Sequence, residues 1–238
     1  AETLIAPVIT APEGKGAISE DHPLSLGGYY YGHGPGRRSL PQADVILVVG
    51  SRMHIIPEMP WDIQPHQKVI QIDADPEEVG RNIPVAVGMC ADGKLGLHAL
   101  LEELGGKTHA SQWTADQASN IRHETIQELR EMAPLQLEII DTIRHELDDD
   151  AIMVAGTTQI GYWSYVAYPA LKPRSYITSS YFATLGYAFP TALGAKLGNP
   201  QRQVVAISGD GGFLYAASEL ATAVQEGINV VTVVFNNG

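Results

Sequence analysis

Positive charge, cysteine and long apolar runs are all scarce in this 238-residue sequence. Lysine and arginine together number 15 against 27 acidic residues, and the formal net charge of −12, without a basic cluster, argues against a nucleic-acid partner. The single cysteine, Cys90, excludes an internal disulfide framework and favours a reducing, cytoplasmic setting. We expect Cys90 to be a small buried residue. No apolar run approaches the roughly 20 residues of a membrane helix, so we expect no membrane partner.

The sequence does contain a regular alternation of apolar, β-branched runs with helical patterns. Solid apolar runs are typical of parallel strands that are covered on both faces. Strands are predicted at residues 7–10, 45–49, 69–72, 152–155, 204–207 and 230–235, and helices at 92–104, 115–132, 135–147, 190–197 and 217–226. The pattern predicts an α/β fold with two doubly wound, mainly parallel-sheet domains.

The alternation is interrupted between Gly105 and Pro134, where a polar stretch and a charged helix separate two α/β units. We therefore predict a central, nucleotide-type domain over residues 1–105, a linker with a helix over 106–133, and a second domain over 134–238. The first unit opens on a strand with none before it, and the last strand has none after it. The expectation is that both domains are truncated and that the chain is part of a longer protein.

Polar groups follow two predicted strands at the point where each strand ends. Asp210 comes after the strand over 204–207, and Asn237 comes after the strand over 230–235. Because one helix joins these strands, a right-handed crossover makes them neighbours or near neighbours, and their carboxyl ends lie at one edge of the sheet. A carboxylate and an amide oxygen suit Mg²⁺ or Ca²⁺, which also accept phosphate oxygens as ligands.

Three glycines surround this aspartate in the sequence. Gly209, Gly211 and Gly212 let the backbone turn sharply at a helix N-terminus, whose N–H groups favour an anion. Taken singly, the DG and NNG stretches are ordinary turn signals. Together they predict a site for a metal ion and a diphosphate. An enzyme with a diphosphate cofactor, a non-catalytic nucleotide- or diphosphate-binding module and a phosphotransfer protein all fit such a site.

Five stretches of the sequence resemble one known family. The GDG motif followed by NN is similar to the cofactor signature of thiamine diphosphate-dependent 2-oxoacid decarboxylases and acetolactate synthases. The stretches GKGAISEDHPLSLG (14–27), ADVILVVGSR (43–52) and VIQIDADPEEVGRN (69–82) look like that family's central domain. TLGYAFPTALGAK (184–196) resembles the segment that holds the thiamine ring. The resemblance covers nearly the whole chain.

The resemblance also implies roles for individual residues. Asp210 and Asn237 would be the Mg²⁺ ligands, and Leu185 the catalytic prop that forces the two cofactor rings into a V shape. The positions that match the family's cofactor contacts are Thr158, Gln159, Ala183, Leu185, Gly209, Asp210, Gly211, Gly212 and Asn237. The pair after the strand over 152–155 would meet the diphosphate, and the Leu185 N–H and the carbonyl two residues earlier would bond the pyrimidine edge. From the residues alone, Leu185 also fits a core position and Thr158 a helix cap.

The activity implied by the resemblance is decarboxylation of a 2-oxoacid by the thiamine ring, which leaves an enamine. The enamine is either protonated to an aldehyde, as in a lyase, or attacks a second carbonyl, as in a transferase, and this stays open. The family's pyrimidine-binding domain, with the glutamate that activates the cofactor, has no counterpart in residues 1–238. We therefore expect the chain alone to be inactive, to need the rest of its parent protein, and to form a homodimer or homotetramer.

A second cofactor is left open for the central domain. Asp73 and Asp75 end the strand over 69–72, where a dinucleotide fold places an acid on a ribose. Acetolactate synthases hold FAD in this domain and other family members hold ADP or nothing, while this sequence lacks a GxGxxG motif. The eight histidines are spread singly, and we single out His33, in a glycine-rich loop, for testing.

Overall fold

The computed structural model describes residues 1–30, 32–54, 61, 63–106, 111–179 and 182–236. The strands are β1 (Val8–Thr10), β2 (Ser25–Gly28), β3 (Val45–Val49), β4 (Lys68–Asp73), β5 (Val87–Cys90), β6 (Ile152–Ala155), β7 (Tyr176–Thr178), β8 (Val204–Gly209) and β9 (Val231–Phe235). The helices are α1 (Gly36–Ser39), α2 (Gly93–Leu104), α3 (Ala115–Met132), α4 (Pro134–His145), α5 (Gln159–Ala167), α6 (Ala188–Gly198), α7 (Asp210–Leu214) and α8 (Glu219–Gln225). The pairs formed between these strands are parallel, which confirms the predicted α/β class with parallel sheets.

Four strands of the second half form one sheet in the order β7-β6-β8-β9. β8 pairs with β9 up to Gly209 opposite Phe235, so the two strands that were predicted to be neighbours or near neighbours are directly adjacent. Alternate residues of β6 pack against α6 on one face and against α4 and α5 on the other. Helices on both faces explain why the strands of this sheet are continuous apolar runs in the sequence.

The first half contains two smaller sheets, one with β3, β4 and β5 in that order, the other with β1 and β2. The prediction omits β2, β5 and β7. β2 reads SLGG and β5 reads VGMC, and glycine weakens a strand signal because it has no side chain to pack. β7 is three residues long, too short to give a periodic pattern.

Helix α3 has the predicted bounds, because a capping box begins it. The Thr114 hydroxyl accepts from the Gln117 N–H at 3.1 Å, and the Gln117 side chain accepts from the Thr114 N–H at 2.9 Å. Helices α1, α5 and α7 are missing from the prediction, and the last two begin at strand ends whose glycine and threonine read as turn signals. Within the described residues, no helix combines the length and the apolarity that crossing a bilayer requires.

Cys90 is exposed, so the expectation of a buried position is wrong. It is the last residue of β5, which is an edge strand of its three-stranded sheet. Its thiol lies 3.6 Å from the carbonyl oxygen of Ala74. Because β5 pairs on one side only among the described residues, its end is left open to solvent.

The first strand pair contacts the second half of the chain, since β2 packs against α3 and α5. A Cβ on Gly28 would lie 2.0 Å from the carbonyl oxygen of Tyr165 in α5. Gly16, with a φ of +84°, approaches the carbonyl oxygen of Lys172 in the same way, at 2.5 Å. The domain boundaries at residues 105 and 134 stay predictions.

Candidate cofactor site

The carboxyl edge of the four-stranded sheet brings several predicted site residues together. Just beyond β6 lies Thr158, directly after β8 lies Asp210, and directly after β9 lies Asn236. Because these three strands are adjacent and parallel, the residues that follow them lie on the same edge. Asn237 lies outside the described residues, so its role as a metal ligand stays a prediction.

Asp210 is the first residue of α7 and is exposed at this edge. Gly209 precedes it with extended backbone, φ −76° and ψ 161°, and so ends the strand. Within the described part of the chain, the carboxylate of Asp210 makes no hydrogen bond and no ion pair. The described residues also contain no group of three or more His, Cys, Asp or Glu that could hold a metal ion. One unshared carboxylate fits Mg²⁺, which binds through one or two carboxylates together with phosphate oxygens and water.

Thr158 occupies the N-cap position of α5, but its side chain makes no capping hydrogen bond. Its Oγ1 lies 3.3 Å from the point where a Cβ on Gly209 would be, so the hydroxyl faces the end of β8. Thr158 therefore has the cap position that the sequence allows, without a capping hydrogen bond from its side chain. Gln159, the first residue of α5, is exposed, and its side-chain oxygen accepts from the Gln136 amide at 3.4 Å.

The three glycines of the GDGG stretch have different surroundings. Gly209 leaves room for Thr158, as described above. Gly212 is buried, and a Cβ there would lie 3.2 Å from the hydroxyl oxygen of Ser208. A Cβ on Gly211 would have no described atom within 4 Å. A side chain at residue 209 or 212 would therefore press against a neighbouring hydroxyl, which would have to shift by a few tenths of an ångström, while Gly211 borders open space at the edge of the sheet.

Leu185 lies at the same corner of the molecule. Its Cδ2 is 4.0 Å from the point where a Cβ on Gly212 would be, and the residue is 47% exposed. Two residues earlier, Ala183 has left-handed backbone with a φ of 49°, and its N–H donates to the carbonyl oxygen of Ser179 at 2.7 Å. A half-exposed leucine beside the GDGG turn fits contact with an apolar ring better than a place in the core.

Sequence reasoning missed two features of this edge. Phe182, Leu214 and Tyr215 are 81%, 73% and 74% exposed, and an apolar residue carries no sequence signal that tells an exposed place from a core one. The second feature is Gly156, whose N–H donates to the carbonyl oxygen of Ile207 at 2.9 Å, and where a Cβ would lie 2.8 Å from that oxygen. A glycine directly after an apolar strand was the available signal.

The acidic residues at the edge of the three-stranded sheet are engaged in local contacts. Asp73 accepts from the Asp75 N–H at 3.0 Å, and Asp75 accepts from the Glu77 N–H at 2.9 Å. The buried carboxylate of Glu78 pairs with Arg81 at 2.7 Å. These contacts build turns. They do not test which cofactor the central domain binds, so the choice between FAD, ADP and nothing stays open.

His33 lies in the glycine-rich loop that faces α5. Its backbone exchanges two hydrogen bonds with Tyr30, of 3.1 and 2.9 Å. Its ring centre lies 5.8 Å from that of Trp163 in α5. The residue therefore joins this loop to α5, and a functional role for it stays a prediction.

Two sequence profiles of one family match the chain. The profile described as "Thiamine pyrophosphate enzyme, central domain" matches residues 1–100. The profile described as "Thiamine pyrophosphate enzyme, C-terminal TPP binding domain" matches residues 155–238, which include the predicted site residues. The chain belongs to the thiamine pyrophosphate enzymes. Thiamine pyrophosphate is the same molecule as thiamine diphosphate, so the family that the motifs indicate is confirmed.

The relatives of this family member differ in their activities. A "Probable 2-ketoarginine decarboxylase" of Pseudomonas aeruginosa is 35% identical over 94% of this chain and 40% of its own length. A "Probable acetolactate synthase large subunit" of Methanococcus aeolicus is 31% identical over 99% of this chain and 43% of its own. A pyruvate oxidase of Lactiplantibacillus plantarum is 29% identical over 99% and 40%. The chain spans about two fifths of the length of these curated relatives.

Proposed function

We propose that the full-length protein is a thiamine diphosphate- and Mg²⁺-dependent enzyme that decarboxylates a 2-oxoacid. The observation that carries the proposal is the edge shared by Asp210 and Thr158, where an exposed carboxylate has no partner among the described residues. Relatives named as a decarboxylase, a synthase and an oxidase support the reaction class. The product is either released as an aldehyde or joined to a second carbonyl, as in acetolactate synthase.

Each residue at this edge has a separate task in the proposal. Asp210, together with Asn237, binds Mg²⁺, and the N–H groups at the start of α5 and the Thr158 hydroxyl bind the diphosphate oxygens. Leu185 contacts the cofactor rings and holds their relative orientation. When bound, thiamine diphosphate supplies a nucleophilic carbon and an acceptor for the electrons of the C–C bond that breaks.

The proposal includes the partners that complete the site. The pyrimidine-binding domain of the parent protein and a second copy of the protein close over this edge, as a homodimer or homotetramer. Leu214 and Tyr215, which follow each other at the end of α7, support this, because they are 73% and 74% exposed and exposed apolar surface marks interaction sites. We therefore expect the 238-residue chain alone to release no CO₂ above background from a 2-oxoacid.

The experiment that tests the proposal uses Asp210→Ala in the full-length protein. Thiamine diphosphate is titrated by calorimetry at fixed Mg²⁺, beside ATP and FAD, and circular dichroism checks the fold. We expect the wild type to bind thiamine diphosphate and Asp210→Ala to lose the binding, because an uncompensated diphosphate costs far more than one neutral hydrogen bond. Asp92→Ala, which removes a carboxylate from the other sheet, is the matched control and should bind like the wild type.

The outcomes separate the competing functions. Cofactor binding by Asp210→Ala as tight as that of the wild type would mean that the GDG stretch is a plain turn. Wild-type binding without CO₂ release from pyruvate or 2-ketoarginine would favour the non-catalytic diphosphate-binding module. Leu185→Ala should leave Mg²⁺ binding nearly unchanged and lower turnover, because this residue shapes the cofactor rather than attaching it.

A further inference from the structure

A buried ion pair connects the first strand pair to the second half of the chain. Lys15 Nζ lies 2.5 Å from Glu20 Oε1, and the two side chains are 0% and 6% exposed. The Glu20 N–H donates to the carbonyl oxygen of Ala170 at 3.1 Å. Lys15 Nζ lies 5.4 Å from the centre of the Tyr176 ring in β7. A desolvated cation beside an aromatic ring is a favourable contact, so the pair restrains the ring of Tyr176.

Tyr176 begins a chain of hydrogen bonds that ends in the first turns of α5. Its hydroxyl lies 2.6 Å from Ser164 Oγ, which in turn donates to the carbonyl oxygen of Gly161 at 2.6 Å. Because Ser164 has one hydroxyl proton and gives it to Gly161, the phenol of Tyr176 must be the donor of the first bond. Burial raises the pKa of Tyr176 well above its ordinary value, so the phenol keeps the proton that this bond needs.

This series of hydrogen bonds ends where α5 meets β6. A Cβ on Gly161 would lie 2.0 Å from the carbonyl oxygen of Gly156, so the two backbones are in direct contact. Thr158 lies in the turn between these glycines, and its hydroxyl faces Gly209 at the end of β8. A shift of the first turn of α5 would therefore move Thr158 relative to the end of β8.

We infer that Tyr176 is a positioning residue for the diphosphate site. Through Ser164 it holds the first turn of α5, and therefore Thr158, in place, while the ion pair of Lys15 and Glu20 holds the Tyr176 ring. The inference rests on the proposed function, since it concerns the same cofactor site. The position of Thr158 matters because a small displacement of a binding group removes a large part of its contribution to binding.

The test compares Tyr176→Phe with Tyr168→Phe in the full-length protein. Tyr168 is a matched control at the other end of α5, fully buried, with its hydroxyl accepting from Arg144 Nη1 at 2.9 Å. Each substitution removes one buried phenol oxygen. Calorimetry gives the Kd for thiamine diphosphate at fixed Mg²⁺, kinetics give the cofactor KM and kcat, and thermal unfolding gives the Tm.

We expect Tyr176→Phe to weaken cofactor binding about fivefold, as the loss of one buried hydrogen bond allows, with kcat at saturating cofactor nearly unchanged. Tyr168→Phe should lower the Tm about as much as Tyr176→Phe does, and it should leave the Kd for thiamine diphosphate unchanged. Ser164→Ala, the second variant, removes the donor to Gly161 and should weaken binding at least as much as Tyr176→Phe.

Two results would overturn the inference. One is equal weakening by Tyr176→Phe and Tyr168→Phe, because the hydroxyl would then act through general stability. The other is wild-type affinity in both Tyr176→Phe and Ser164→Ala. A wild-type protein that binds no thiamine diphosphate would count against the proposed function instead, so the two failures are distinguishable.

Discussion

The central and the edge strands of the two larger sheets differ in how deeply they bury similar apolar runs. In the four-stranded sheet all of β6 and five of the six residues of β8 are buried, because helices cover both faces. The edge strands are more open: Val45 and Leu47 of β3 and Val87 of β5 are 49%, 37% and 48% exposed, and Val231 of β9, at the edge of the four-stranded sheet, is 60% exposed. An apolar run therefore predicts a strand, whereas the depth of that strand depends on which elements pack over it.

The carboxyl edges of the two sheets differ in what their acidic residues do. Asp92 accepts hydrogen bonds from the N–H groups of Lys94 and Leu95 at the start of α2, at 3.0 and 3.1 Å. Asp210 accepts none from any described residue. A carboxylate at a strand end is a candidate ligand only when the backbone beside it does not use it.

The largest loss of stability is expected from Gly161→Ala, in the contact between α5 and β6. The new Cβ would lie 2.0 Å from the Gly156 carbonyl oxygen, a backbone atom that cannot rotate away, and we expect a loss of about 4 kcal/mol in the free energy of unfolding. In the three-stranded sheet, Gly96→Ala meets the Ile72 side chain at 2.8 Å, which can shift, so the loss should be about 1–2 kcal/mol.

Urea unfolding followed by circular dichroism measures both variants. Gly194→Ala, in α6, is the control, since a Cβ there has no described atom within 4 Å. It should stabilise the protein by up to about 1 kcal/mol, because alanine favours a helix. Equal losses of stability for Gly161→Ala and Gly96→Ala would contradict the expected difference between a contact with backbone and a contact with a side chain.

The next largest effect is expected from Lys15→Met, next to Tyr176 in β7 of the four-stranded sheet. The substitution leaves the Glu20 carboxylate buried without its partner, and we expect a loss of about 3 kcal/mol. The double variant Lys15→Met/Glu20→Leu should recover most of it. Arg130→Met breaks a pair with Asp141 that is about half exposed and should cost less than about 1 kcal/mol. Urea unfolding again decides, and a double variant as unstable as Lys15→Met would contradict the interpretation.

Alkaline pH should weaken the second half through its buried tyrosines. Burial raises the pKa of Tyr168, and it raises that of Tyr176 well above 10.0. Because the unfolded chain then loses these protons first, the stability is complete below the unfolded pKa of about 10 and falls as pH rises toward the folded values. Urea midpoints across this range test the idea. Tyr176→Phe should flatten the fall, and an unchanged pH profile in that variant would contradict it.

The smallest effects on stability are expected at the two sheet edges. There, the variant that lowers stability should keep cofactor binding, and the variant that keeps stability should lose it. Asp92→Ala removes the cap of α2 and should cost about 1 kcal/mol while leaving thiamine diphosphate binding intact. Asp210→Ala removes no hydrogen bond or ion pair among the described residues, so the unfolding free energy should hardly change while cofactor binding is lost. Thermal unfolding and calorimetry on both variants check this. A marked fall in the stability of Asp210→Ala would give its carboxylate a structural role.

Local signals predicted those elements whose cause is local. The capping box of Thr114 and Gln117 begins α3 at the expected residue, and β3 and β6 have the expected bounds because they are solid apolar runs. The short helical connection between β8 and β9 predicted that they are neighbours or near neighbours, and they are adjacent. The glycine-rich strand β2 could not be predicted in this way, since it forms by pairing with β1 and packing against α5.

By itself, the sequence determined the α/β class, the family and the position of Asp210 after a buried strand, because spaced motifs carry this information along the chain. Only the tertiary structure decided that the Thr158 hydroxyl faces Gly209, that Cys90 is exposed and that the Tyr176 hydroxyl bonds to Ser164 in α5. The physical reason is that hydrogen-bond partners and burial are set by residues far apart in the chain, which a one-dimensional pattern does not pair.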